Sequence, residues 1–115
     1  MFEKYYTKEQ LEELEKRRQD IGPEKMQAYQ DQWKVLMDNV KGEMKMGTDP
    51  TSTQVQKYAE EWNLLLNAFS GGNKALEDAK AQMYKNEPKV REQYGFDPEM
   101  WAYVEKMMKY FRSHQ

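Results

Sequence analysis

Residues 23–47 read PEKMQAYQDQWKVLMDNVKGEMKMG, and the spacing of the large apolar side chains in that stretch decides the fold class. Met26, Tyr29, Trp33, Leu36, Met37, Val40 and Met44 recur at steps of three and four. A helical backbone gathers such residues on one stripe and leaves the charged ones on the other side. Gly22-Pro23 opens the stretch and Gly47 closes it. Glycine suits the left-handed residue that ends a helix, and proline suits a first turn, where an N–H has no partner anyway. A helix is predicted from Pro23 to Met46.

The same punctuation continues in both directions. Upstream, Thr7-Lys8-Glu9-Gln10 has the spacing of a capping box, with Tyr6 and Leu11 placed to meet as a hydrophobic staple. This first helix stops at Gly22. Downstream, Thr51 and Gln54 repeat the capping-box spacing, so a helix is predicted from Thr51 to Phe69, before Gly71-Gly72. Asn73 caps a fourth helix that reaches Asn86, ahead of Pro88. A short helical turn follows through Tyr94, and Asp97-Pro98 starts a last helix running toward Arg112.

Apolar stripes mark these helices too. The third carries Val55, Tyr58, Ala59, Trp62, Leu65, Leu66 and Phe69, and the fourth carries Leu76, Ala79, Met83 and Tyr84. The last has Trp101, Val104, Met107, Met108 and Phe111, with Tyr103 and Tyr110 on a neighbouring face. No stretch alternates as a strand does. The predicted fold is all-α, a single-domain bundle of about five helices whose core comes from the second, third, fourth and last.

The first helix stands apart. Only Leu11, Leu14 and Ile21 give it an apolar edge. The pairs Glu12–Lys16 and Glu13–Arg17 add only about 0.2–0.5 kcal/mol each, and isolated helices of this length are marginal in water. Either it is an ordinary solvated helix at the domain edge, or it docks only when something fills the space beneath it.

Composition narrows the function. Leu, Ile, Val and Phe are scarce and mean hydropathy is −1.15, which leans toward disorder. Two features oppose that: a formal net charge of only −2, and 15 aromatic residues with 9 methionines. Each ring can bury about 150–250 Å². Methionines and aromatics at helical spacing either fill a small core or provide an adaptable surface for varied partners.

Other classes drop out on residue chemistry. There is no cysteine for a disulfide, a thiolate metal site or a thiol nucleophile, and the single histidine, His114, cannot build a histidine metal site or a Ser/His relay. Acids slightly outnumber bases, so no direct nucleic-acid footprint is evident. No apolar run is long enough to span a membrane, and Met1-Phe2-Glu3-Lys4 does not begin a signal peptide. The expectation is a cytoplasmic, non-enzymatic protein with no cofactor. Gly71-Gly72-Asn73 lacks the spaced glycines and Lys-Ser/Thr of a phosphate loop and reads as one helix cap following another. Glu60-Glu61 and Glu12-Glu13 are adjacent in sequence, so the members of each pair point different ways around a helix and read as solvated faces.

In order along the chain stand Tyr5-Tyr6-Thr7-Lys8-Glu9-Gln10-Leu11, then Leu14, Arg17, Arg18 and Gly22, then Trp33, Gly47-Thr48-Asp49-Pro50, Val55-Gln56 and Trp62. Ala68-Phe69-Ser70-Gly71-Gly72-Asn73, Tyr84, Phe96-Asp97-Pro98-Glu99 and Tyr103 complete the set. This ordered set resembles the TipAS antibiotic-recognition domain over almost the whole chain. The resemblance implies an all-helical arrangement similar to globins without haem, a broad cleft for bulky hydrophobic drugs, and an N-terminal part that closes over the ligand. It also implies a place behind a winged helix-turn-helix and a coiled-coil dimerisation helix in MerR-type activators, or a free-standing sequestering protein. Thiopeptide-binding members carry a cysteine that captures the drug covalently; this chain has none.

On this reading residues 1–115 form one ligand-binding domain, with a lid over 1–22 and a core over 23–115. The partner is a small hydrophobic drug or antibiotic held non-covalently in an aromatic cleft. Trp33 and Trp62 are candidate stacking surfaces, though both could equally be core wedges. Leu36, Met37, Leu66 and Phe69 lie one turn away and would extend the wall. Tyr84 and Tyr103 pair a ring with a hydroxyl that could orient a ligand; Met107 and Tyr110 follow by spacing, and Tyr5 and Tyr6 would touch ligand from the lid. The alternative is a protein-interaction module whose methionine-rich and aromatic groove receives a partner helix.

Overall fold

Thr7 starts the first helix as its spacing predicts: its hydroxyl accepts from the Gln10 N–H at 3.1 Å, and the Gln10 side chain accepts from the Thr7 N–H at 2.9 Å. The structure is a computed structural model describing residues 4–115, so the reading of Met1-Phe2-Glu3 lies outside the described residues. Among the described residues six helices follow one another: α1 (Lys8–Ile21), α2 (Pro23–Lys45), α3 (Thr53–Ser70), α4 (Lys74–Asn86), α5 (Pro88–Gln93) and α6 (Pro98–Ser113). The described residues contain no strand. The short turn expected before Tyr94 is α5.

Most caps are those the residues announce. Asn73 accepts from the Leu76 N–H and Asp97 from the Met100 N–H, and Gly71 ends α3 in the left-handed conformation at φ +64°. One differs. The start of α3 is capped by Ser52, whose hydroxyl accepts from the Val55 N–H, and not by Thr51. Thr51 is already engaged: Asp49 accepts from its N–H at 2.8 Å and from its hydroxyl at 2.7 Å. The Asp49 turn competes for the threonine, so the helix begins two residues later than the predicted Thr51.

The core also differs from the prediction of one shared interior. Leu36 and Val40 of α2, Val55, Ala59 and Trp62 of α3, and Met100, Val104, Met107 and Met108 of α6 form the main cluster, joined by Phe96. Leu76 and Met83 of α4 instead build a second cluster with Val90 of α5 and Tyr6, which precedes α1. Leu11 and Leu14 pack against that second cluster, so Tyr6 and Leu11 do share one apolar site. The buried residues of α4 thus belong to the second cluster, while its half-buried Tyr84 packs against both. In α6 the buried stripe runs from Met100 through Val104 to Met107 and Met108, with Trp101 only half-buried beside it.

Helix α1 has no buried residue. A polar latch holds it to the α3–α4 junction. The Glu13 carboxylate accepts from Arg17 at 3.1 Å and from the Asn73 side chain at 3.2 Å, and the Arg17 guanidinium lies directly over Gly71.

Candidate ligand-binding site

The two clusters meet along a seam of rings. Trp33 of α2 stands edge-on to Trp62 of α3, with centroids 4.9 Å apart and planes at 86°. Trp62 meets Phe96 at 5.9 Å, and Phe96 meets Trp101 of α6 at 5.6 Å and Tyr84 of α4 at 5.9 Å. Tyr84 stacks on Trp101 at 6.1 Å and touches Tyr94 edge-on at 5.9 Å. Aromatic pairs at these separations and tilts are favourable beyond their buried area, so one continuous run of rings crosses α2, α3, α4 and α6.

Arg91 fixes the α4–α6 end of this seam. Its Nη1 donates to the carbonyls of Tyr84 at 2.7 Å and Lys85 at 2.9 Å, while the guanidinium lies 5.4 Å from the Trp101 ring centroid. The C-terminus of α4 is thereby capped by a cation that also stacks on the seam. On the other side Lys80 places its ammonium 5.8 Å from the Tyr84 ring centroid and 6.0 Å from that of Phe69. Burial holds the Lys80 pKa below its ordinary value and pushes the Tyr84 phenol well above its own.

The proposed contact residues fall into separate places. Trp33, Trp62 and Tyr84 form the seam itself. Met37 flanks it, its methyl group lying against Gly95 next to Phe96. Leu66 is half-buried against the main core and Phe69 sits under Lys80. Leu36 at 2 % exposure and Met107 at 0 % are interior residues whose surfaces are spent on packing. Tyr103 and Tyr110 lie toward the α2–α3 loop. The Tyr103 hydroxyl donates to the Thr48 carbonyl at 2.7 Å, and the Tyr110 ring stacks on His114 at 3.8 Å. Tyr110 lines an open groove of about 440 Å³ with Asp49, Pro50, Thr51, Lys106, Lys109 and Ser113.

From the N-terminal side, Tyr5 donates its hydroxyl to Glu87 at 2.8 Å, and Lys4 lies 3.7 Å from the same carboxylate. Tyr6 is buried among Leu76, Met83 and Val90, and that burial, with the Tyr94 phenol nearby, raises its pKa above the ordinary value. Tyr5 and Tyr6 therefore sit at the Tyr84 end of the seam.

Sequence reasoning missed Phe96, Trp101, Tyr94, Lys80 and Arg91. Trp101 appeared only as core, and a hydrophobic sequence pattern gives no cue to loop rings such as Phe96 and Tyr94. Nothing in the spacing of the sequence singles out the two cations.

Set against curated proteins and against solved structures, the chain matches none. Among the described residues no helix is long and apolar enough to cross a membrane. The family model of the TipAS antibiotic-recognition domain matches residues 1–111, almost the whole chain, and this chain therefore belongs to the TipAS family.

Proposed function

We propose that this chain is an effector-binding domain that takes bulky, hydrophobic aromatic drugs non-covalently along the ring seam, beneath the segment that carries Tyr5, Tyr6 and α1. The observation that carries the reading is the seam itself: rings from four helices aligned where two apolar clusters meet, roofed by a segment whose helix buries no residue. Rings already pack on rings there, Tyr84 and Trp101 face to face and the others edge-on or tilted, so an aromatic ligand replaces like with like. Its entry requires the roof to lift. Membership of an antibiotic-recognition family supports a drug as the ligand, and the absence of cysteine leaves stacking and burial as the means of capture. Trp33, Met37, Trp62, Leu66, Phe69 and Tyr84 are the proposed wall, and Tyr5 and Tyr6 the roof contacts. Leu36 and Met107 act behind the wall, and Tyr103 and Tyr110 would contribute only to a ligand long enough to reach the α2–α3 loop.

The reading extends to a MerR-type activator, in which a DNA-reading domain and a dimerisation helix precede this domain. Ligand would then act by binding the closed roof more tightly than the open one, since only differential affinity moves an equilibrium. A free-standing drug-sequestering protein would use the same site without that output.

The test is a thermal-shift and tryptophan-fluorescence screen against planar and macrocyclic antibiotics. A ligand at a hundred times its Kd stabilises by about 2.7 kcal/mol, on the order of ten degrees in Tm for a domain of this size. A saturable shift with tryptophan quenching is expected. A flat response across the panel would remove the drug reading and favour a partner helix as the occupant.

A further inference from the structure

Lys80 is the cation of the seam with no acceptor among the described residues. Among the described residues its ammonium makes no ion pair and no hydrogen bond, and its neighbours are the faces of Phe69 and Tyr84. Glu77, one turn earlier on α4, is engaged elsewhere, accepting from the Ser70 hydroxyl at 2.9 Å. An ammonium has three donors, and ring faces attract its charge without accepting all of them. Half-buried beside the proposed ligand wall, it is a charge that the protein leaves uncompensated.

We propose that Lys80 is the anion anchor of the ligand site, so that the preferred ligand is an aromatic body carrying a carboxylate, sulfonate or similar anionic group. This rests on the ring seam being the ligand site. The rings would take the flat body while Lys80 takes the anion at the edge between Phe69 and Tyr84. A charged pair formed in so poorly hydrated a place is stronger than the same pair on the surface.

The experiment uses two fluorescent probes with the same aromatic body, anilinonaphthalene sulfonate and the uncharged N-phenylnaphthylamine. Both are titrated into the wild-type chain, Lys80→Met and Lys80→Arg, with circular dichroism checking that each is folded. The wild-type protein should bind the sulfonate roughly tenfold more tightly than the neutral probe. Lys80→Met should lose that preference while keeping its affinity for the neutral probe, and Lys80→Arg should retain it. A preference that survives in Lys80→Met, or a wild-type protein that binds the neutral probe equally well, overturns the assignment of Lys80 and leaves the seam as a site. Failure of the wild-type protein to bind either probe overturns the ligand site itself, and the anchor with it.

Discussion

At Gly71 two demands fall on one residue. Its φ of +64° ends α3 in the left-handed region, and a side chain there would run into the Arg17 guanidinium. Gly72 has φ +79° with open space around it. The two alanine variants therefore separate the causes. Gly72→Ala should cost about 1 kcal/mol, the penalty for a left-handed L-residue. Gly71→Ala should cost more and should also loosen α1, since Arg17 must leave. Chemical denaturation of both variants checks the order. A second contrast lies at Tyr103, whose hydroxyl is committed to the Thr48 carbonyl. Tyr103→Phe should lower stability by about 1 kcal/mol with little change in drug affinity, measured by denaturation and by fluorescence titration. Glycine as a helix stop was legible at these positions because a local rule sets it. The approach of Arg17 from a helix more than fifty residues upstream was not.

Among the elements, α1 has the best local start and the least tertiary support. Its capping box is complete, yet it buries none of its residues and is held by Leu11, Leu14 and the Glu13–Arg17–Asn73 latch. Hydrogen exchange should report this directly: α1 amides should exchange through a local opening of lower free energy than that of α3, which carries Val55, Ala59 and Trp62 in the main core. Thr7→Ala removes the cap, worth about 1 kcal/mol, and should speed exchange in α1 while leaving α3 unchanged. Equal protection of α1 and α3 would argue against a roof that lifts. At α3 the limit of local reading is visible in Thr51. Both Thr51 and Ser52 can cap a helix, and Asp49 decides between them by taking the threonine.

Across the whole molecule, stability and ligand site share the same rings. Trp62 is buried in the main core against the rings of Trp33 and Phe96, so Trp62→Ala should cost about 3–5 kcal/mol. The half-buried Trp33 should cost less to replace, which makes Trp33→Ala the informative variant: it should stay folded and bind drugs more weakly, by melting and titration. The seam also ties stability to alkaline pH. The phenols of Tyr6 and Tyr84 are raised above their ordinary value of 10.0, so the folded chain keeps protons that the unfolded chain releases there. Stability is full below pH 10 and falls as pH rises beyond it. Tyr84→Phe should flatten that fall in denaturation curves taken above pH 10. The sequence by itself determined the helices, their stops and most buried stripes, because capping and the helical repeat act within a few residues. It did not determine that α4 forms a separate cluster with Tyr6 and Val90, that Phe96 and Tyr84 join the clusters, or that Lys80 faces the rings of Phe69 and Tyr84. Those depend on which helices lie side by side, and only the tertiary structure sets that, through contacts between residues far apart in the chain.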